Sequence, residues 1–119
     1  MESSARVAKT TKACRGKSLP ASLTESQSTD LASAFKVLAD PIRVRLLSLI
    51  AASPEGEVCA CDLVDTLKRS QPTISHHLGV LCDAGFLSRE RQGTWIWYSV
   101  VPERWAQLRV AFDSATALV

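Results

Sequence analysis

The sequence predicts a mainly α-helical domain with a β-hairpin wing, the winged helix-turn-helix class. Apolar residues recur at helical spacing in five stretches of the 119-residue chain. The third and fourth stretches are short and separated by a tight turn, the layout of a helix-turn-helix. Directly after them, two runs of aromatic and β-branched residues flank Gln92-Gly93-Thr94, a hairpin signal.

Residues 1–24 are rich in Ser, Thr, Ala and Lys without apolar periodicity, and are expected to form a flexible arm. Residues 25–119 are expected to form the folded domain. A first helix should begin after Thr24 or Ser26, with Leu31, Ala34, Phe35 and Leu38 on one face. Asp40-Pro41 ends it and starts the next, with Pro41 near the first position. Ile42, Leu46, Leu49 and Ile50 form the second stripe, and Ser53-Pro54-Glu55-Gly56 is a loop. A third helix from about Ala60 to Lys68 buries Leu63, Val64 and Leu67. Ser70 caps a fourth, with Ile74, Leu78 and Leu81 inward and Gly85 at its end. Leu87 to Arg91 and Trp95 to Val101 read as strands. Pro102 opens a last helix with Trp105, Leu108 and Phe112 on one side.

This size allows one domain with a modest core, and small domains often complete their burial by dimerising. Hydrophobic residues at 46% and charged residues at 22% are ordinary for a globular protein. No apolar run is long enough to span a membrane, and the N-terminus has no secretory apolar stretch. The expected location is the cytoplasm, where four cysteines stay mostly reduced. The net charge is +2, but Arg6, Lys9, Lys12, Arg15 and Lys17 against Glu2 give the arm +4 and leave the remainder at −2. Overall charge therefore does not argue for nucleic acid, and local chemistry must.

That chemistry lies in the fourth helix. In a helix-turn-helix the second helix enters the major groove of double-stranded DNA. On a wheel of about 100° per residue, burying Ile74, Leu78 and Leu81 points His76 outward and leaves Thr73 and Ser75 beside it. Gln71 stands at the helix N-terminus, which favours phosphate, and glutamine can pair in bidentate fashion with adenine. Arg89 and Arg91 on the wing suit phosphate or minor-groove contact. His77 flanks the apolar stripe and is expected to pack. Trp95, Trp97 and Trp105 are expected in core or dimer packing.

The second candidate site is Cys59 and Cys61, read as the start of the third helix, where the helix N-terminus lowers a thiol's pKa. Thiolates select soft ions. Residues two apart on a regular helix point about 200° away from each other. Sharing one ion therefore needs a first turn that is already irregular, or one that binding distorts. Plain burial of both cysteines is the alternative. Cys14 is a candidate third ligand, since the extended arm covers up to about 3.5 Å per residue. Three thiolates suit a three-coordinate ion: arsenite and antimonite fit, cadmium, lead and mercury stay open, and tetrahedral zinc wants a fourth ligand. Cys82 reads as structural.

Three motifs, Lys36-Val37-Leu38-Ala39-Asp40-Pro41-Ile42-Arg43, Val58-Cys59-Ala60-Cys61-Asp62-Leu63 and Ser70 to Leu78, make the chain resemble the ArsR/SmtB metalloregulators over residues 28–113. It is most similar to their actinobacterial arsenic-responsive members. The resemblance implies a dimeric repressor whose first and last helices form the interface. It would occupy operator DNA when metal-free and leave when its inducer binds. It also implies Cys59 and Cys61 as inducer ligands, with Cys14 as a third in the manner of some members. As(III) is the implied inducer, with Sb(III) next and cadmium or lead less favoured. A Cys59–Cys61 disulfide switch is a further alternative. The last helix lacks the histidine and carboxylate set of the family's zinc sensors, and Gly79 stands where many relatives carry lysine. A thiol enzyme is not expected, because the spacer between the thiols is one residue rather than two.

Overall fold

In the computed structural model, which describes residues 23–116, the elements run α1 (Glu25–Leu38), α2 (Pro41–Ala51), β1 (Val58–Cys59), α3 (Ala60–Leu67), α4 (Gln71–Asp83), β2 (Leu87–Gln92), β3 (Trp95–Val100) and α5 (Pro102–Thr116). All but the last two residues of the expected arm, Cys14 among them, lie outside the described residues.

Local chemistry sets most helix boundaries. Thr24 opens α1 with a capping box: Gln27 N–H donates to Thr24 Oγ1 at 3.1 Å, and Thr24 N–H donates to Gln27 Oε1 at 2.9 Å. Asp40 Oδ1 accepts from the N–H groups of Ile42 and Arg43, with Pro41 at the first helical position of α2. Ser70 Oγ accepts from Thr73 N–H at 3.3 Å and opens α4. Lys68 closes α3 in the left-handed region at φ 57°, an uncommon choice for a residue with a Cβ, and this sharpens the turn into α4. Gly93, at φ 68°, starts the two-residue turn between β2 and β3, which accounts for a glycine there.

The sheet holds a strand that the periodicity did not reveal. β1 pairs antiparallel with β3, Val58 opposite Tyr98 and Cys59 opposite Trp97, giving the order β1-β3-β2. A two-residue strand has no period to read, and its pairing depends on residues far along the chain.

Leu46, Ile50, Leu63, Ile74, Leu78, Leu81 and Phe86 are the most deeply buried large side chains, so α2, α3, α4 and the residue just before β2 meet in one core. Three large aromatic side chains stay exposed in the single chain. Phe35 and Phe112 are each 43% exposed rather than buried, because α1 and α5 turn Leu31, Ala34 and Leu108 inward instead. The two rings meet edge to face at 6.0 Å. Trp95 is 55% exposed, since it stands beside the turn at the tip of the hairpin. Trp97 is half-buried, and Trp105 packs against Phe86 at 4.8 Å. Among the described residues, no helix is long and apolar enough to cross a membrane.

Candidate DNA-reading surface and thiol cleft

α4 is anchored at three places, and this fixes which side chains it presents. Its inner face contributes Ile74, Leu78 and Leu81 to the core. His77 is also buried, as expected of a packing residue, but it is tied by more than packing. Arg43 of α2 donates from Nε to His77 Nδ1 at 3.1 Å. Burial lowers the His77 pKa below its ordinary value; Arg43 and His76 add to this, and Asp40 opposes it. At the other end, Arg104 of α5 donates from Nε to the Ala84 carbonyl oxygen at 3.2 Å, and its guanidinium lies 4.9 Å over the Phe86 ring.

The outer face of α4 then carries the residues singled out for DNA. Gln71, Ser75 and His76 are exposed. Thr73 is half-buried, and its hydroxyl accepts from Ser70 Oγ at 2.9 Å, so part of its capacity serves the cap. Arg89 and Arg91 are exposed on β2 and, being two apart, share one face of the strand. Arg89 shares a hydrogen bond with Tyr98, which raises its pKa further and leaves most of its donors free.

The thiols are arranged differently from the expectation. Cys59 is not part of the helix. It is a buried residue of β1 and the N-cap of α3, in extended conformation at φ −73° and ψ 142°. Cys61 is the second residue of α3 and is exposed. The 200° divergence of a regular helix therefore does not apply, and the two sulfurs stand 2.9 Å apart. Cys59 precedes the first turn of α3, so the two sulfurs approach each other with the helix intact. Nor is the Cys61 thiol lowered: its hydrogen bond with Cys59 comes first in raising its pKa, then desolvation and the nearby Cys59 and Asp62, against a backbone hydrogen bond from Asp62. Among the described residues, no three His, Cys, Asp or Glu side chains gather closely enough to hold an ion. Cys82 is half-buried against the core, where burial raises its thiol pKa, in keeping with a structural role.

Sequence reasoning missed the space that joins the two sites. Cys59 and Cys61 line a cleft of about 340 Å³ together with Gln71 and Ser75 of α4, Val64 and Asp65 of α3, and Trp95, Ile96 and Tyr98 of β3. No local signal could reveal it, because four elements meet there only in the folded chain.

The family model described as bacterial regulatory protein, arsR family, matches residues 40–89. The HTH-type transcriptional regulator MJ1325 of Methanocaldococcus jannaschii is 44% identical over 70 residues, which cover 59% of this chain and 76% of that one. The chain belongs to the ArsR family.

The arsenic resistance transcriptional regulator ArsR1 of Pseudomonas putida is 49% identical over 69 residues, 58% of this chain. The matched stretch covers 52% of that relative, so the chain spans about half its length. Among solved structures, the AntR antimony-specific transcriptional repressor superposes with a TM-score of 0.63 at 29% identity, covering 84% of this chain and 92% of that one. The ArsR family and these relatives are transcriptional regulators, not enzymes. The winged helix-turn-helix class expected from the sequence is the class observed.

Proposed function

We propose that this ArsR-family protein is an As(III)- and Sb(III)-responsive transcriptional repressor. As a metal-free homodimer it binds double-stranded operator DNA. Gln71, Thr73, Ser75 and His76 approach base edges, and Arg89 and Arg91 take phosphate or the minor groove. Cys59 and Cys61, joined by Cys14 of the arm formed by residues 1–24, bind the inducer and release the DNA. A regulator of this kind works in the cytoplasm, where its thiols stay reduced.

The observation that carries this reading is the convergence of the Cys59 and Cys61 sulfurs, 2.9 Å apart, beside the N-terminal end of α4. Two such thiols match the bonding of a trivalent metalloid hydroxide. Each thiol proton leaves with one arsenite hydroxyl as water while a sulfur–arsenic bond forms. The third hydroxyl stays, or a third thiol displaces it in the same way. No electrons are transferred. The names of ArsR1 and AntR add support for a metalloid inducer. The exposed apolar residues Phe35, Val110 and Phe112 on α1 and α5 support the dimer.

The test uses DNA duplexes selected from a random pool by the arsenite-free protein. Arsenite should weaken their binding by wild type at least tenfold, which needs only about 1.4 kcal/mol of coupling. Cys59→Ser should bind the duplex normally and ignore arsenite, and Cys14→Ser should need more arsenite. Failure of arsenite to release wild type would sink the reading. Release by cadmium, lead or an oxidant alone would replace the inducer and keep the fold's role.

A further inference from the structure

The convergence of the thiols removes the mechanical reason for release. Distortion of α3 would follow if Cys59 and Cys61 diverged around a helix, but Cys59 is the N-cap and the sulfurs already face each other. Capture of an ion asks little of α3. The coupling to DNA needs another source, and the shared cleft supplies one.

Gln71 and Ser75 are exposed residues on α4, four positions apart and therefore on one side of it. They line the same space as the two cysteines, and Thr94 and Trp95 of the hairpin line it too. The volume of about 340 Å³ exceeds what two sulfur–arsenic bonds fill. Water takes about 30 Å³ per molecule, so there is room for the third substituent on arsenic and its hydrogen-bond partners. Val64, Ile74 and Ile96 give the cleft apolar walls. The polar side chains that α4 offers a retained hydroxyl are the Gln71 amide and the Ser75 hydroxyl, each a donor and an acceptor.

Resting on the function proposed above, we infer that Gln71 and Ser75 serve two ligands. They read the operator in the repressed state, and in the released state they hold the hydroxyl that arsenic keeps until Cys14 displaces it. The protein then cannot engage both at once, and inducer and operator compete for one set of side chains.

Two measurements on the full-length chain test this. Calorimetry with arsenite, without DNA, on a Cys14→Ser chain whose arsenic keeps its third hydroxyl should show that adding Gln71→Ala and Ser75→Ala weakens binding roughly threefold to tenfold, the range for one ordinary hydrogen bond. A role confined to DNA would leave that affinity unchanged, and an unchanged affinity overturns the inference. Both residues are exposed, and an unaltered thermal melt checks that the variant folds. In the second measurement, the apparent operator Kd should rise in proportion to free arsenite with no plateau. A finite coupling between separate sites gives a plateau instead. A plateau therefore overturns the inference and leaves the proposed function standing, whereas no effect of arsenite removes the function first.

Discussion

Arg43 and His77 form a partly buried link between α2 and α4, the Arg43 Nε donating to His77 Nδ1 at 3.1 Å. The same guanidinium donates from Nη1 to the Val37 carbonyl oxygen at 2.9 Å, so one side chain joins the end of α1, the start of α2 and the inner face of α4. An Nδ1 that accepts must be unprotonated, which places the ring proton on Nε2. The orientation of α4, and with it of Gln71, Ser75 and His76, depends on a neutral His77.

Protonation of His77 is therefore expected to destabilise the fold. Its pKa is lowered, first by burial, so the folded state prefers the neutral ring. The stabilisation is complete above the unfolded value of about 6.5 and is lost as pH falls through the lower folded value. Melting temperature should drop between pH 7 and pH 5 for wild type. His77→Gln should start lower at pH 7 and vary less across that window. An equal pH slope in both proteins would show that another group is responsible.

The cap of α4 is predicted to matter for stability as well as for DNA. Ser70 Oγ accepts from Thr73 N–H and donates to Thr73 Oγ1. Ser70→Ala should cost about 1 kcal/mol, read as a lower denaturation midpoint with unchanged slope. Ser70→Asp, which can still cap, should recover most of that loss.

The wing arginines should be separable from the base-reading residues by salt. If Arg91 meets a phosphate, Arg91→Ala should reduce the slope of log binding constant against log salt by about 0.9 for each protomer. The loss should be uniform across duplex sequences. Arg89→Ala should do the same and also lose its hydrogen bond to Tyr98. A variant that changes sequence preference but keeps the slope would place the arginine on a base instead.

The apolar edge of α1 and α5 should govern assembly. Val110 is 67% exposed, so a charge there leaves the monomer's core intact. Val110→Glu is expected to shift the protein to monomers in sedimentation and to weaken operator binding, with helix content preserved. A wild-type chain that sediments as a monomer at the concentrations used for DNA binding would remove the dimer from the proposal.

The sequence by itself determined the helices, their caps and the outward face of α4. Thr24, Asp40 and Ser70 cap their helices through groups two or three residues away, and the stripe Ile74, Leu78, Leu81 fixes one side of α4 by period alone. Such signals are local, so they are legible before folding. Tertiary structure decided the rest. Cys59 leaves the helix because Val58 and Cys59 pair with Tyr98 and Trp97, and no spacing within Cys59-Ala60-Cys61 encodes that. Phe35, Phe112 and Trp95 stay exposed because burial depends on which neighbours arrive, and a period cannot say. The link from Arg43 to His77 and the cleft shared by Cys59, Cys61, Gln71 and Ser75 exist only where separate elements meet. Hydrogen bonds and contacts between residues distant in the chain are fixed by packing, and packing is what the linear sequence leaves unspoken.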